Sequence, residues 1–237
     1  MRLKGSTVLL WAISLASIVL ALKTSDEPLP QVFKDTWVDR VFQQFSTGNS
    51  IIFDVSIGFL VSVIFYLLVV WHPERRRKSI IRRSMEEQYR FFKEGVIRVL
   101  LSAGAHAGAR YDSDVVSKLS DQEEFSSYFK EPISDTQSRW DAVLNGLDEY
   151  FLAQLLVELE IFLNEVTFVL NNVEMDDREV FSFFKRLSEA VYRLKNCTPD
   201  YEDTKQLSHF LWELFAGWSF TTGYTDTDIV KVMIERI

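Results

Sequence analysis

Residues 51–71 read IIFDVSIGFLVSVIFYLLVVW, and residues 72–83 read HPERRRKSIIRR. About 20 consecutive apolar residues cross the hydrocarbon core of a bilayer as a helix. Lys and Arg just beyond a span hold that end in the cytoplasm. The first stretch is therefore expected to be a membrane span with Trp71 at the cytoplasmic face. Behind it Arg75, Arg76, Arg77, Lys78, Arg82 and Arg83 stand against Glu74 alone. Those six cations read first as a topology signal and second as a site for anionic lipid headgroups.

Upstream, Arg2 and Lys4 precede a 16-residue apolar run, Thr7–Leu22. It fits a signal peptide with a cleavage site at Val19, Leu20 and Ala21. It also fits a first transmembrane helix extended by Lys23, whose long side chain reaches the interface. The retained helix is the preferred reading. The expected organisation is a membrane unit over 1–72, with spans at about 7–23 and 51–71 and an outer segment at 24–50, followed by a cytoplasmic domain over 73–237. The chain is then a multi-pass protein of a bacterial inner membrane with both termini in the cytoplasm. In the outer segment Pro28 and Pro30 break the first helix. Val32, Phe33, Trp37, Val38, Val41, Phe42 and Phe45 then recur at helical steps, as in an amphipathic helix lying on the outer interface.

Within the second span Asp54, Gly58 and Ser62 fall at i, i+4 and i+8 and share one face. Small and polar residues let membrane helices approach closely and hydrogen-bond. Two readings follow. The face contacts the first span, which offers Ala12, Ser14, Ala16 and Ser17, or it drives self-association into an oligomer with a polar seam through the bilayer.

The net charge of -8 hides an asymmetry: from Ser84 onward there are 15 Lys and Arg against 28 Asp and Glu. An acidic domain repels phosphate backbones, so it is not expected to bind nucleic acid directly. Cys197 is the single cysteine, which rules out an intrachain disulfide and suits a reducing compartment. The three histidines show no metal-ligand spacing, and no catalytic motif is present. No enzyme activity and no cofactor are expected.

The apolar spacing beyond Glu74 is helical throughout, so the fold class is all-α, with a two-helix transmembrane unit and a cytoplasmic bundle of about six helices. The first helix runs to about Ala103, burying Tyr89, Phe92, Val96, Val99 and Leu100, and turns near Gly104 and Gly108. Ser120 with Glu123 forms a capping box for a helix ending near Lys130. Ser134 or Asp135 caps the next, which reaches Asn172 and buries Tyr150–Leu170 in the core. Asp176 or Asp177 opens a helix through Asn196, Tyr201–Ala216 forms another ending near Gly217, and Thr225 or Asp226 opens the last. Glu158, Glu160 and Glu165 read as a solvated or partly paired face, and Cys197 with His209 as inert. Phe210, Trp212 and Phe215 belong to the core. Trp218, Phe220 and Tyr224 fall in a loop and form the candidate partner surface, because exposed aromatics anchor interfaces.

Two spans at Thr7–Leu22 and Ile51–Trp71, a basic junction and a motif-poor helical domain give a layout that resembles the small two-span effectors of bacterial antiphage systems, including those beside retron reverse transcriptases. The resemblance implies a toxin-like protein held inert by a cytoplasmic partner, such as a reverse transcriptase–nucleic acid complex, that damages the membrane on release. The alternative is a membrane-tethered adaptor or sensor whose helical domain recruits proteins.

Overall fold

The computed structural model describes residues 5–24, 50–112, 114–219, 223–225 and 227–237. The proposed outer amphipathic helix, Phe220 and Asp226 lie outside the described residues, as does the side chain of Trp218. The fold is all-α. The chain divides into two compact units, Met1–Arg77 and Lys78–Ile237.

The first unit holds α1 (Gly5–Thr24) and α2 (Ser50–Tyr66), followed by one turn of π-helix at Leu67–Trp71. Among the described residues one helix is long and apolar enough to cross a membrane, within Ser50–His106, whereas the apolar part of α1, Val8–Thr24, is shorter. The two apolar helices pack on each other. The buried positions of α1 are Ser14, Ser17, Ala21 and Thr24, at alternating three- and four-residue steps. On α2 Ser56 is buried, and Phe53, Leu60, Val63 and Leu67 continue its stripe half-buried. This is the spacing of a left-handed helix pair, with small side chains letting the backbones approach. Two hydroxyls on α1 bond back within the helix, Ser14 to the Leu10 carbonyl at 2.8 Å and Thr24 to that of Leu20 at 2.7 Å.

From Lys78 onward α3 (His72–His106) supplies the longest buried face of the second unit. Tyr89, Phe92, Val96, Val99 and Leu100 are buried as expected, with Met85, Ile97 and Leu101 beside them. The helix passes through Gly104, and the turn comes at Gly108, whose φ of 97° suits glycine. A short α4 (Val115–Lys118) leads to α5 (Gln122–Lys130). Asp121, not Ser120, caps α5, accepting from the Glu123 and Glu124 amides.

Pro132–Ser134 and Gln137–Ser138 form a small antiparallel hairpin, β1 and β2. The expected single helix to Asn172 is two helices, α6 (Arg139–Gly146) and α7 (Glu149–Asn172). Ser138 caps α6 in a capping box with Asp141, and Asp148 caps α7. At the break, Gly146 is required sterically. A Cβ there would sit 1.9 Å from the Ala103 carbonyl oxygen, so α6 and α3 meet at a contact only glycine permits.

Next come α8 (Arg178–Leu194), capped by Asp177, and α9 (Tyr201–Ala216), capped by Asp200. Gly217 ends α9 in the left-handed region with φ 63°. Trp218–Ser219 and Gly223–Tyr224 pair as a second hairpin, β3 and β4. Asp228, rather than Thr225 or Asp226, caps the final helix, α10 (Ile229–Glu235). Aromatic contacts bind these helices together: the Phe92 and Phe162 rings stack with centroids 4.4 Å apart, and Phe215 lies against both Phe92 and Phe125. Each fully buried ring of this kind contributes about 1.5–3 kcal/mol over exposure.

Candidate functional site

Around the β3–β4 hairpin the second unit opens a polar cleft of about 1300 Å³. Its floor is a network assembled from three distant stretches of chain. Lys93 is 6 % exposed. Its ammonium lies 3.1 Å from an Asp228 carboxylate oxygen and donates to the Ser120 carbonyl. The Tyr89 hydroxyl lies 3.0 Å from both oxygens of Asp228. Asp228 also accepts the Lys231 amide at 3.1 Å, so one carboxylate caps α10 and neutralises a buried cation. Burial first, then the Asp228 charge, raises the Tyr89 phenol well above its ordinary value and keeps it a donor. Nothing in the linear sequence signals this trio, because Lys93 and Asp228 are 135 positions apart.

Gln122 also lines the cleft. Its buried Oε1 finds no hydrogen-bond partner among the described residues. It rests over Gly217, where a Cβ would come within 2.8 Å of it.

Tyr224 of the expected partner surface stands at the cleft, half exposed, with the Lys130 ammonium 4.1 Å above its ring. Burial pushes its phenol up, but hydrogen bonds from Lys130 and Trp212 pull it below its ordinary value. Phe215 is buried in the core, and Phe210 and Trp212 pack against it half-buried. Tyr224→Ala is expected to weaken capture of a protein partner roughly tenfold, the usual size of an aromatic anchor's contribution. Helical circular dichroism should not change. Full capture by a normally folded variant would place the interface elsewhere.

The six cations behind Trp71 do not act as one stripe. Arg75 stacks over the Trp71 ring at 4.4 Å. Lys78 donates to the Glu174 carbonyl at 2.6 Å, and Arg82 lies 3.8 Å from Glu86. Arg75, Arg76, Arg77, Arg82 and Arg83 are all exposed, and Lys78 is half-buried.

Asp54, Gly58 and Ser62 are all exposed. At 100° per residue they lie across α2 from Ser56, the residue that faces α1. A Cβ at Gly58 would meet nothing within 4 Å, and Ser62 bonds back to the Gly58 carbonyl at 2.8 Å. The contact between the two apolar helices thus uses a different face from the one the sequence pointed to. On α1 it includes Ser14 and Ser17 but leaves Ala12 and Ala16 exposed.

Of the three glutamates on α7, Glu165 accepts a hydrogen bond from Ser84 and Glu160 is exposed. Burial raises Glu158 above the ordinary carboxylate range, and Arg98 opposes that shift. Burial, then Asp203, pushes the Cys197 thiol up, away from the thiolate a nucleophile needs. Among the described residues no group of three His, Cys, Asp or Glu converges to hold a metal. The chain matches no protein-family model, no curated protein and no solved structure.

Proposed function

We propose that this chain is a regulated inner-membrane effector. Its two apolar helices perturb the bilayer when a cytoplasmic partner releases the helical bundle. The observation that carries this reading is the Asp54–Gly58–Ser62 face of α2, which lies opposite the hairpin contact. A carboxylate in hydrocarbon costs up to about 3 kcal/mol at the centre of a span and less near its end. An anchor gains nothing from it, whereas a polar face directed at another copy can line a path for ions or water. The resemblance to antiphage effectors points the same way, with a reverse transcriptase–nucleic acid complex as one form the partner takes. The decisive experiment replaces residues 1–71 with an unrelated two-span hairpin. The effector reading expects growth arrest to vanish although the fusion still reaches the membrane.

The adaptor is the second reading, favoured by the large polar cleft and the half-exposed Tyr224 beside it. An adaptor would tolerate the exchange of spans.

Both readings share one topology. A reporter active only in the cytoplasm should work when fused after Ile237 and fail when fused near Thr36, because the cations behind Trp71 retain that end inside. Activity of the Thr36 fusion would overturn the orientation and the functional readings built on it.

A further inference from the structure

The sequence of α7 is apolar nearly all round, which reads as a helix enclosed by the core. The structure encloses only one side. Leu152, Leu155, Leu159, Phe162, Val166 and Val169 are buried. Tyr150, Val157, Ile161 and Phe168 are 65 %, 54 %, 52 % and 47 % exposed. Separations of 7, 11 and 18 residues bring these four within about 20° of one line along the helix. Gln154 and Asn164 fill the remaining positions of that line, so the steps run four, three, four, three, four. That is the seam of a helix that pairs with another helix, with two amides placed to set the register.

The flanks of the seam decide what can cover it. α7 carries Glu149, Glu158, Glu160 and Glu165 and no Lys or Arg; Arg98 offsets part of the Glu158 charge and Ser84 donates to Glu165, which leaves the flanks net acidic. A second copy of this chain would bring glutamates against glutamates. An anionic membrane surface is repelled for the same reason. A helix with Lys or Arg beside its apolar stripe satisfies both the seam and its charge.

We propose that this outer face of α7 receives an amphipathic helix of a partner protein, apolar along one stripe and basic on both sides of it. The inference rests on the reading that the bundle is controlled by a protein partner, and it names the part of that partner that docks. The mode is helix recognition by spaced apolar anchors. The glutamates steer the encounter and select the partner, while Val157 and Ile161 at the centre hold it.

The test uses the full chain in phosphatidylcholine nanodiscs, with empty nanodiscs as the blank. The probe is a labelled synthetic four-heptad helix with Leu along its stripe and Lys and Arg on its flanks. A second probe carries Glu on the flanks. The basic probe should bind at least about tenfold tighter than the acidic one. Val157→Ser with Ile161→Ser should weaken it by about tenfold or more. Glu158→Gln, Glu160→Gln and Glu165→Gln together should weaken it severalfold. The same loss of charge at Glu189, Glu202 and Glu213, away from the seam, should leave binding intact.

Equal binding of both probes would overturn the proposal. So would equal losses from the two glutamate sets, or a wild-type chain that self-associates through this face and is separated by Ile161→Ser. Depolarisation by the free full chain is read independently. Failure of the docking face therefore leaves the effector reading standing, and failure of the effector reading leaves the docking result intact.

Discussion

Asp228→Ala should lower the thermal unfolding midpoint of the bundle by about 10 °C. The Lys93 side chain is 7 % exposed and its partner carboxylate 16 %. Removing one member of a buried pair leaves an uncompensated charge and costs about 3–5 kcal/mol. Loss of the α10 cap adds about 1 kcal/mol. Loss of the acceptor for Tyr89 adds about 1 kcal/mol more. Water reaching the cleft through the 16 % opening offsets part of this, leaving about 3 kcal/mol. At this domain size each kcal/mol moves the midpoint by about 2–4 °C. Lys93→Met combined with Asp228→Asn should recover most of the loss, because it removes both charges at once. Differential scanning calorimetry of the full chain reads both results, and a fall below about 2 °C would show that the trio does not hold α10 to α3. The same network makes an alkaline prediction. Tyr89 titrates well above 10.0 when folded, owing first to burial and then to Asp228. A raised folded value means the contribution is whole below the unfolded value and is lost as pH climbs past it. Tyr89→Phe should flatten that loss.

What could be read from the sequence is what local chemistry encodes. Asp177 opens a helix and Gly217 closes one, because caps and left-handed turns are written within three or four residues. The buried stripe of α3 from Tyr89 to Leu100 follows from helical spacing alone. The requirement for glycine at position 146 is tertiary, because the Ala103 carbonyl lies against it. The Lys93–Asp228–Tyr89 trio joins residues that no local pattern connects. Both apolar faces of α7 contribute to its hydrophobicity, and periodicity cannot say which of two apolar faces meets the core. Periodicity likewise could not choose between contact with α1 and self-association for one face of α2. Asp54, Gly58 and Ser62 made a conspicuous small and polar face, but Ser56 and the apolar residues at its heptad steps make the contact.

The exposure of Asp54, Gly58 and Ser62 sharpens the test of the effector reading. Had Gly58 faced α1, Gly58→Leu would have pushed the hairpin apart, and any loss of activity would have been a loss of folding. With open space for 4 Å around its Cβ position, leucine fits the single chain. Gly58→Leu should therefore insert normally, and Asp54→Leu should insert at least as well, since it makes the span more apolar. Ser56, 4 % exposed, provides the contrast. Ser56→Leu overpacks the hairpin itself and should lower the amount of protein in the membrane. Expressed free of its partner, the wild type should collapse the membrane potential and arrest growth. Gly58→Leu and Asp54→Leu should abolish both effects at equal membrane levels, the first by blocking close approach of another copy and the second by removing the charge from the seam. A potential-sensitive dye beside quantitative immunoblots makes the measurement. If the wild type leaves the potential intact, or if both variants stay fully toxic, the spans are an anchor. The adaptor reading then takes over, with function carried by the bundle alone.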